Sequence, residues 1–181
     1  VTVVCPRGAA RGGPVFAGCH RLNGNGELTG LEWVRESGLL TTPIAITNTH
    51  SVGVVRDALV AASVDGSDAR WSLPVVGETY DGDMSDINGH HVRPEHVRAA
   101  LEGASGGRIE EGGVGSGTGM VSHGFKGGIG TSSRVVGGHT VGVLVQANHG
   151  TRARLMVGGV HYRHPGLWVK AATTLDVLSG G

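Results

Sequence analysis

Thiols, unbalanced charge and long apolar runs are all scarce in this sequence, and each shortage closes a class of function. Cys5 and Cys19 are the two cysteines of a 181-residue chain. They are too few for a disulfide framework and sit in no metal-ligand spacing, so reduced, buried thiols without a catalytic role are expected. Fifteen basic residues balance 15 acidic ones, and 17% of the chain is charged; without a basic footprint, nucleic acid and anionic membrane drop out as partners. No stretch approaches the ~20 apolar residues that a transmembrane helix needs. The opening "VTVVCPRGAARGG" carries no basic-then-apolar secretion signal, so a cytoplasmic location is expected, with the periplasm as the alternative.

What the chain has in excess is glycine, 34 residues with no collagen period. Such a count means a backbone that repeatedly turns through positive φ or lies close against another group. The most biased segment, "EGASGGRIEEGGVGSGTG" at 102–119, reads as a loop inside a domain. With 39% hydrophobic residues and no linker-like composition shift, residues 1–181 are expected to form a single domain.

Hydrophobic spacing alternates strands and helices through the first half. Strands are predicted at 1–6, 15–24, 42–49 and 73–82, the last leaving the core at Gly77. Helices are predicted in "LTGLEWVRESG", stopping at Gly38, in "SVGVVRDALVAAS", N-capped by Ser51 with Val52, Val55, Leu59 and Ala62 on one face, and in "RPEHVRAALEGA", with Pro94 at its start and Gly103 past its end. From 126 onward the period becomes two. A hairpin around Gly137-Gly138, followed by "RARLMVGGVHY", suggests a three-stranded antiparallel meander. Helices packed on sheet make the expected class α+β rather than a doubly wound parallel sheet.

Several motifs fail on inspection. In "GGVGSGTGM" Met120 stands where a dinucleotide fingerprint needs glycine or alanine, and Gly127 after Lys126 replaces the hydroxyl residue of a P-loop, which leaves Lys126 as a solvated or ion-paired lysine. The glycine run still supplies backbone amides that can line a cleft, with Gly117 as the substrate-binding candidate. Of ten histidines, His90, His91, His161 and His164 make the closest pairs, yet none has a metal-site spacing, and no GxSxG elbow nominates a serine. The loop "VVGETYDGDMSDING" is richer in chemistry. Asp81-Gly82 and Asn88-Gly89 explain it as turns, but leave Glu78 and Tyr80 unexplained. The strand "HTVGVLVQAN" poses a sharper question, because its apolar alternation runs into Gln146, Ala147, Asn148 and His149.

The blocks "LNGNGELTG", "PIAITNTHSVGVVRDA", "GETYDG" with "DINGHHV", "GSGTGMVSHGFKGGIGTSSR" and "VGVLVQANHG" together resemble the self-processing aminopeptidases that include L-aminopeptidase/D-esterase and the β-peptidyl aminopeptidases. The resemblance covers most of residues 1–150; Met84-Ser85 departs from the family's more frequent Leu-Asn. It implies a four-layer α/β/β/α sandwich similar to N-terminal-nucleophile hydrolases with a different strand connectivity. It further implies a precursor that cuts itself before a serine, which becomes the nucleophile of a β chain. Residues 1–181 then look like the α chain, lacking an N-terminal segment and ending near the cut at Gly180-Gly181.

By the same resemblance Asn148 supports the oxyanion, Tyr80 lies beside the nucleophile and Glu78 is the candidate for binding the substrate's ammonium. A preorganised amide donor at a developing oxyanion is worth ~3 kcal/mol of barrier, and the α-amine of an N-terminal serine can take the hydroxyl proton, so no cofactor or metal is expected. The implied partners are the β chain, a short peptide, amide or ester substrate, and further αβ pairs in an oligomer. A threonine-dependent ornithine acetyltransferase of related architecture and a nonenzymatic glycine-rich binding or assembly domain are the alternative readings.

Overall fold

A computed structural model describes residues 1–6, 13–64 and 71–161. In chain order these carry β1 (Thr2–Val4), β2 (Val15–Phe16), α1 (Leu31–Ser37), β3 (Leu39–Leu40), β4 (Ile44–Asn48), α2 (Val52–Val64), β5 (Val75–Thr79), α3 (Pro94–Glu102), β6 (Val121–Ser122), β7 (Phe125–Lys126), β8 (Gly128–Val136), β9 (His139–Ala147), β10 (Met156–Val157) and β11 (Val160–His161). The expected positions of His164 and of a cut after Gly181 fall outside the described residues.

The centre is a mixed three-stranded sheet in the order β1-β4-β5, with β1 antiparallel and β5 parallel to β4. A parallel pair needs a crossover, and α2 provides it. Val52, Val55 and Leu59 recur at helical spacing and are buried, meeting Ala45, Val76 and Val97 of α3 on one sheet face. On the other face, Leu31 and Val34 of α1 pack with Leu40 and Val75. Adjacent residues Val75 and Val76 thus serve opposite cores, as the pleat requires.

The fold mixes α and β as expected, and its first half adds one parallel β4-α2-β5 unit to strand pairing that is otherwise antiparallel among the described residues. The structure corrects several expectations. Only Val15–Phe16 of the predicted strand 15–24 pairs. Ser51 does not cap α2; it closes a 3-10 turn, Thr49–Ser51, that feeds the helix. The predicted helix at 28–38 begins at Leu31, because Leu28 instead bridges Gly77 as an edge to β5. The meander is two separate ribbons. β8 and β9 pair over nine positions around Gly137 and Gly138, whose φ values of 56° and 80° suit the tight primed turn, whereas "RARLMVGGVHY" folds back on itself as β10 and β11 after a 3-10 turn. Both cysteines are free and half-buried rather than fully enclosed, and burial raises the Cys5 thiol's pKa. No helix among the described residues is long and apolar enough to cross a membrane.

Candidate active site

Because β4 and β5 run parallel, their C-terminal ends open at the same sheet edge, the usual place for ligand groups in such units. The register sets Thr47 beside Glu78 and Asn48 beside Thr79, so the residues that follow, Thr49, Tyr80 and Asp81, emerge together. Half-buried Glu78 accepts a hydrogen bond from Thr49 Oγ1 at 2.6 Å. Thr79 Oγ1 donates to Thr47 O at 3.2 Å, and Asn48 Nδ2 approaches the buried Asp81 carboxylate at 3.4 Å.

The end of β9 arrives at this edge from the other half of the chain. Gln146 and Asn148 are two residues apart, so both side chains leave β9 on the same side. Gln146 Nε2 donates to Ser116 O at 3.0 Å and to Thr79 Oγ1, while its Oε1 accepts from Ser116 Oγ. Asn148 Oδ1 accepts from Tyr80 N at 3.0 Å, and Nδ2 donates to Tyr80 O at 2.9 Å and to Val121 O at 3.4 Å. The amides at the end of β9 therefore have a physical cause. The β4-β5 ladder stops at Thr79, leaving the N–H and C=O of Tyr80 without a strand neighbour. A carboxamide offers the same donor and acceptor pair as a peptide group, and Asn148 stands in for the missing strand.

This geometry refines the expected roles. Tyr80 and Asn148 do meet, but through the tyrosine's backbone; its side chain, 50% exposed, curls over the next turn, so that a Cβ at Gly82 would lie 2.6 Å from the phenol oxygen. Both amide hydrogens of Asn148 point at carbonyls of its own chain. The Val121 contact, at 3.4 Å, is longer than the usual N–H···O range, which makes that hydrogen the one most easily redirected to another acceptor. Gly117 lies buried in the 3-10 turn Gly115–Gly117, and its N–H is already bonded to Val114 O at 2.8 Å. A Cβ there would meet Gly112 O at 2.5 Å and Ile129 N at 2.9 Å, so this glycine permits close backbone packing beneath Gln146.

Ser116 and Thr49 were not singled out from the sequence, and Gln146 was noticed but given no role. The only available signal was the pair of amides, two positions apart, at the end of a strand whose alternate residues Val141, Val143 and Val145 are valines. Around Asn148, His149 meets the His123 ring edge-on at 4.8 Å, and His123 N donates to His149 O at 2.7 Å, so the residue after the carboxamide is braced as well. His91 pairs with Asp86 at 3.0 Å and holds that carboxyl below its ordinary pKa. No three His, Cys, Asp or Glu side chains among the described residues converge as a metal site, and Lys126 is exposed on β7. An open hollow of about 410 Å³ is lined by Ser122, Phe125, Ile129, Val145 and Ala147 among others. Neither Glu78, Tyr80, Gln146 nor Asn148 lines it, so this hollow is not the candidate site.

Comparison with known proteins places these features in a family context. The model for peptidase family S58 matches residues 1–172. The β-peptidyl aminopeptidase BapA of Sphingosinicella microcystinivorans is 52% identical over 164 residues, which cover 88% of this chain and 41% of that protein. Among solved structures, a β-aminopeptidase from Burkholderia sp. superposes with a TM-score of 0.82 at 61% identity, covering 86% of this chain and 46% of the other. The L-aminopeptidase D-Ala-esterase/amidase of Ochrobactrum anthropi, described as a prototype for the serine aminopeptidases and a variant of the Ntn-hydrolase fold, gives a TM-score of 0.78 at 50% identity over 82% of this chain and 44% of that one. The chain thus spans less than half the length of each of these three relatives.

Proposed function

The chain belongs to peptidase family S58, and from that premise we propose that it is the α half of a serine aminopeptidase. In this reading the nucleophile is the N-terminal serine of a β chain cut from the same precursor. The enzyme releases N-terminal residues from short peptides, amides or esters, and αβ pairs assemble further into an oligomer. The observation that carries the proposal is the convergence of the ends of β5 and β9, where Asn148 bonds the Tyr80 backbone two residues along the chain from Glu78.

The chemistry then runs as follows. The serine hydroxyl attacks the scissile carbonyl while the serine's own amine, with a reference pKa of about 8, accepts the proton. The carbonyl oxygen becomes negative and takes the Asn148 hydrogen now turned toward Val121 O. Tyr80, whose phenol is held over the Asp81-Gly82 turn, flanks the attacking group, and Glu78 pairs with the substrate ammonium. The tetrahedral intermediate collapses as the serine ammonium returns its proton to the departing amine or alcohol. Water, giving a proton to the serine's amine, then attacks the acyl ester to release the free acid and restore the serine hydroxyl.

Support for a second chain comes from β8 and β9. Val136, Val141, Val143 and Val145 share one face of the hairpin by register and all are exposed, Val143 at 53%. An apolar stripe of this kind on a hairpin of two nine-residue strands calls for a cover, and a β chain of the length by which the relatives exceed this one supplies it, completing a four-layer α/β/β/α sandwich. Reconstitution with the β chain should produce hydrolysis of an amino-acid p-nitroanilide, and intact mass should reveal a second fragment beginning with serine. A well-folded pair that stays inactive rejects the proposal.

A further inference from the structure

The Glu78 carboxylate is approached from two sides by residues to which no role has yet been given. On one side, Thr49 Oγ1 donates to Oε2 at 2.6 Å, and Thr49 is itself fixed by opening the 3-10 turn between β4 and α2. On the other side stands Gly26: a Cβ built there would lie 2.6 Å from Oε1 and 3.7 Å from the carboxyl carbon. Gly26 cannot easily retreat. The residues after it are zipped along β5, with Glu78 N donating to Glu27 O at 3.0 Å, Thr29 N donating to Val76 O at 3.0 Å, and the Thr29 hydroxyl bonding Pro74 O at 2.8 Å and Val76 N at 2.9 Å.

We propose that Thr49 and Gly26 together define the amine subsite: Thr49 positions the carboxylate by occupying Oε2, and Gly26 determines specificity by leaving Oε1 uncovered for a substrate ammonium. The inference rests on Glu78 as the ammonium-binding group. An ionised carboxylate accepts at both oxygens, and binding one of them to a fixed neutral hydroxyl leaves the other as the directional acceptor. A carboxylate already held in one rotamer also loses less side-chain freedom when the ligand arrives. The ligand class is an unsubstituted primary ammonium, since an acylated nitrogen has lost the charge that Oε1 attracts.

The test uses the enzyme assembled with its β chain and two matched p-nitroanilides, one aminoacyl and one identical acyl group without the amine. The quantity read is the ratio of kcat/KM between them. Glu78→Gln should collapse this ratio; an unchanged ratio there removes the ammonium role of Glu78 and the present inference with it. With that role intact, Thr49→Val should lower the ratio about tenfold, as expected for losing a hydrogen bond to a charged group, chiefly through KM of the amine substrate, and Thr49→Ser should restore it. Gly26→Ala should raise KM for the amine substrate by a similar factor relative to that for the amine-free one, lowering the same ratio. If Thr49→Val and Gly26→Ala slow both substrates in parallel, or leave the ratio at its starting value while Glu78→Gln collapses it, the two residues do not form the subsite.

Discussion

The β4-α2-β5 unit and the β8-β9 hairpin are both built from valine, yet they end in opposite conditions. In the first, Val52, Val55 and Val76 are buried by partners within the chain. In the second, Val135 is 74% exposed and the stripe from Val141 to Val145 faces outward. The first unit closes its own core through a helix that crosses between two parallel strands. The hairpin has paired its backbone but not its side chains, because hydrogen bonding between two strands satisfies polar groups without removing apolar surface from water. The two regions touch where Gln146 and Asn148 reach the end of β5, so the candidate site lies on the boundary between a finished core and an unfinished one.

The comparison breaks first at the hairpin. Val143→Glu should prevent assembly with the β chain and abolish hydrolysis, since an unpaired charge taken into an apolar contact costs several kcal/mol; size-exclusion of the mixed chains reads the loss. The matching substitution at an exposed loop position should leave assembly intact.

Asn148→Ala tests the boundary itself. Removal of an oxyanion donor lowers kcat about 10²- to 10³-fold, with KM changed far less, and steady-state kinetics on an aminoacyl p-nitroanilide separates the two. A change mainly in thermal stability, with kcat retained, would assign Asn148 only to holding Tyr80.

Gln146→Ala should act on structure more than on chemistry. It leaves the Ser116 and Thr79 hydroxyls and the Ser116 carbonyl short of partners, at a cost of about 2 kcal/mol, visible as a lower denaturation midpoint of the assembled enzyme while KM stays near its original value.

The smallest effect belongs to Glu111, whose Oε1 accepts from Thr131 N at 2.7 Å and Thr131 Oγ1 at 2.6 Å and so ties the glycine-rich loop to β8. These bonds lower its carboxyl pKa. A lowered folded-state value means that the contribution is fully present above the ordinary carboxylate pKa and disappears as pH falls through the lowered one. The small stability difference between the parent and Glu111→Gln should therefore be seen at neutral pH, begin to shrink at the ordinary carboxylate pKa and vanish once acidification has passed the lowered one.

Local pattern was enough to locate most elements. α2 was legible because Val52, Val55 and Leu59 fall on one helical face, α3 because Pro94 and Gly103 mark its ends, and the Gly137-Gly138 hairpin because two glycines joined alternating strands. The meander was not legible. "RARLMVGGVHY" has strand-like residues, but Gly158 and Gly159 turn it back on itself, and whether a β-rich segment pairs with a neighbour or with its own continuation is a long-range choice. At the site, Glu78, Tyr80 and Asn148 stood out in sequence with roles, Gln146 stood out without one, and Thr49 and Ser116 did not, since a hydroxyl residue carries no mark of its partner.

By itself the sequence determined the family, the periodicities of its helices and strands, and a strand that ends in amides. Only the tertiary structure decided that β4 and β5 run parallel, that Asn148 supplies the partner that the Tyr80 backbone lacks, and that the valine face of the hairpin remains open. The reason is one of range: helical and strand periods are written in residues a few positions apart, whereas Tyr80 and Asn148, 68 positions apart, meet only once two separate segments have been packed edge to edge.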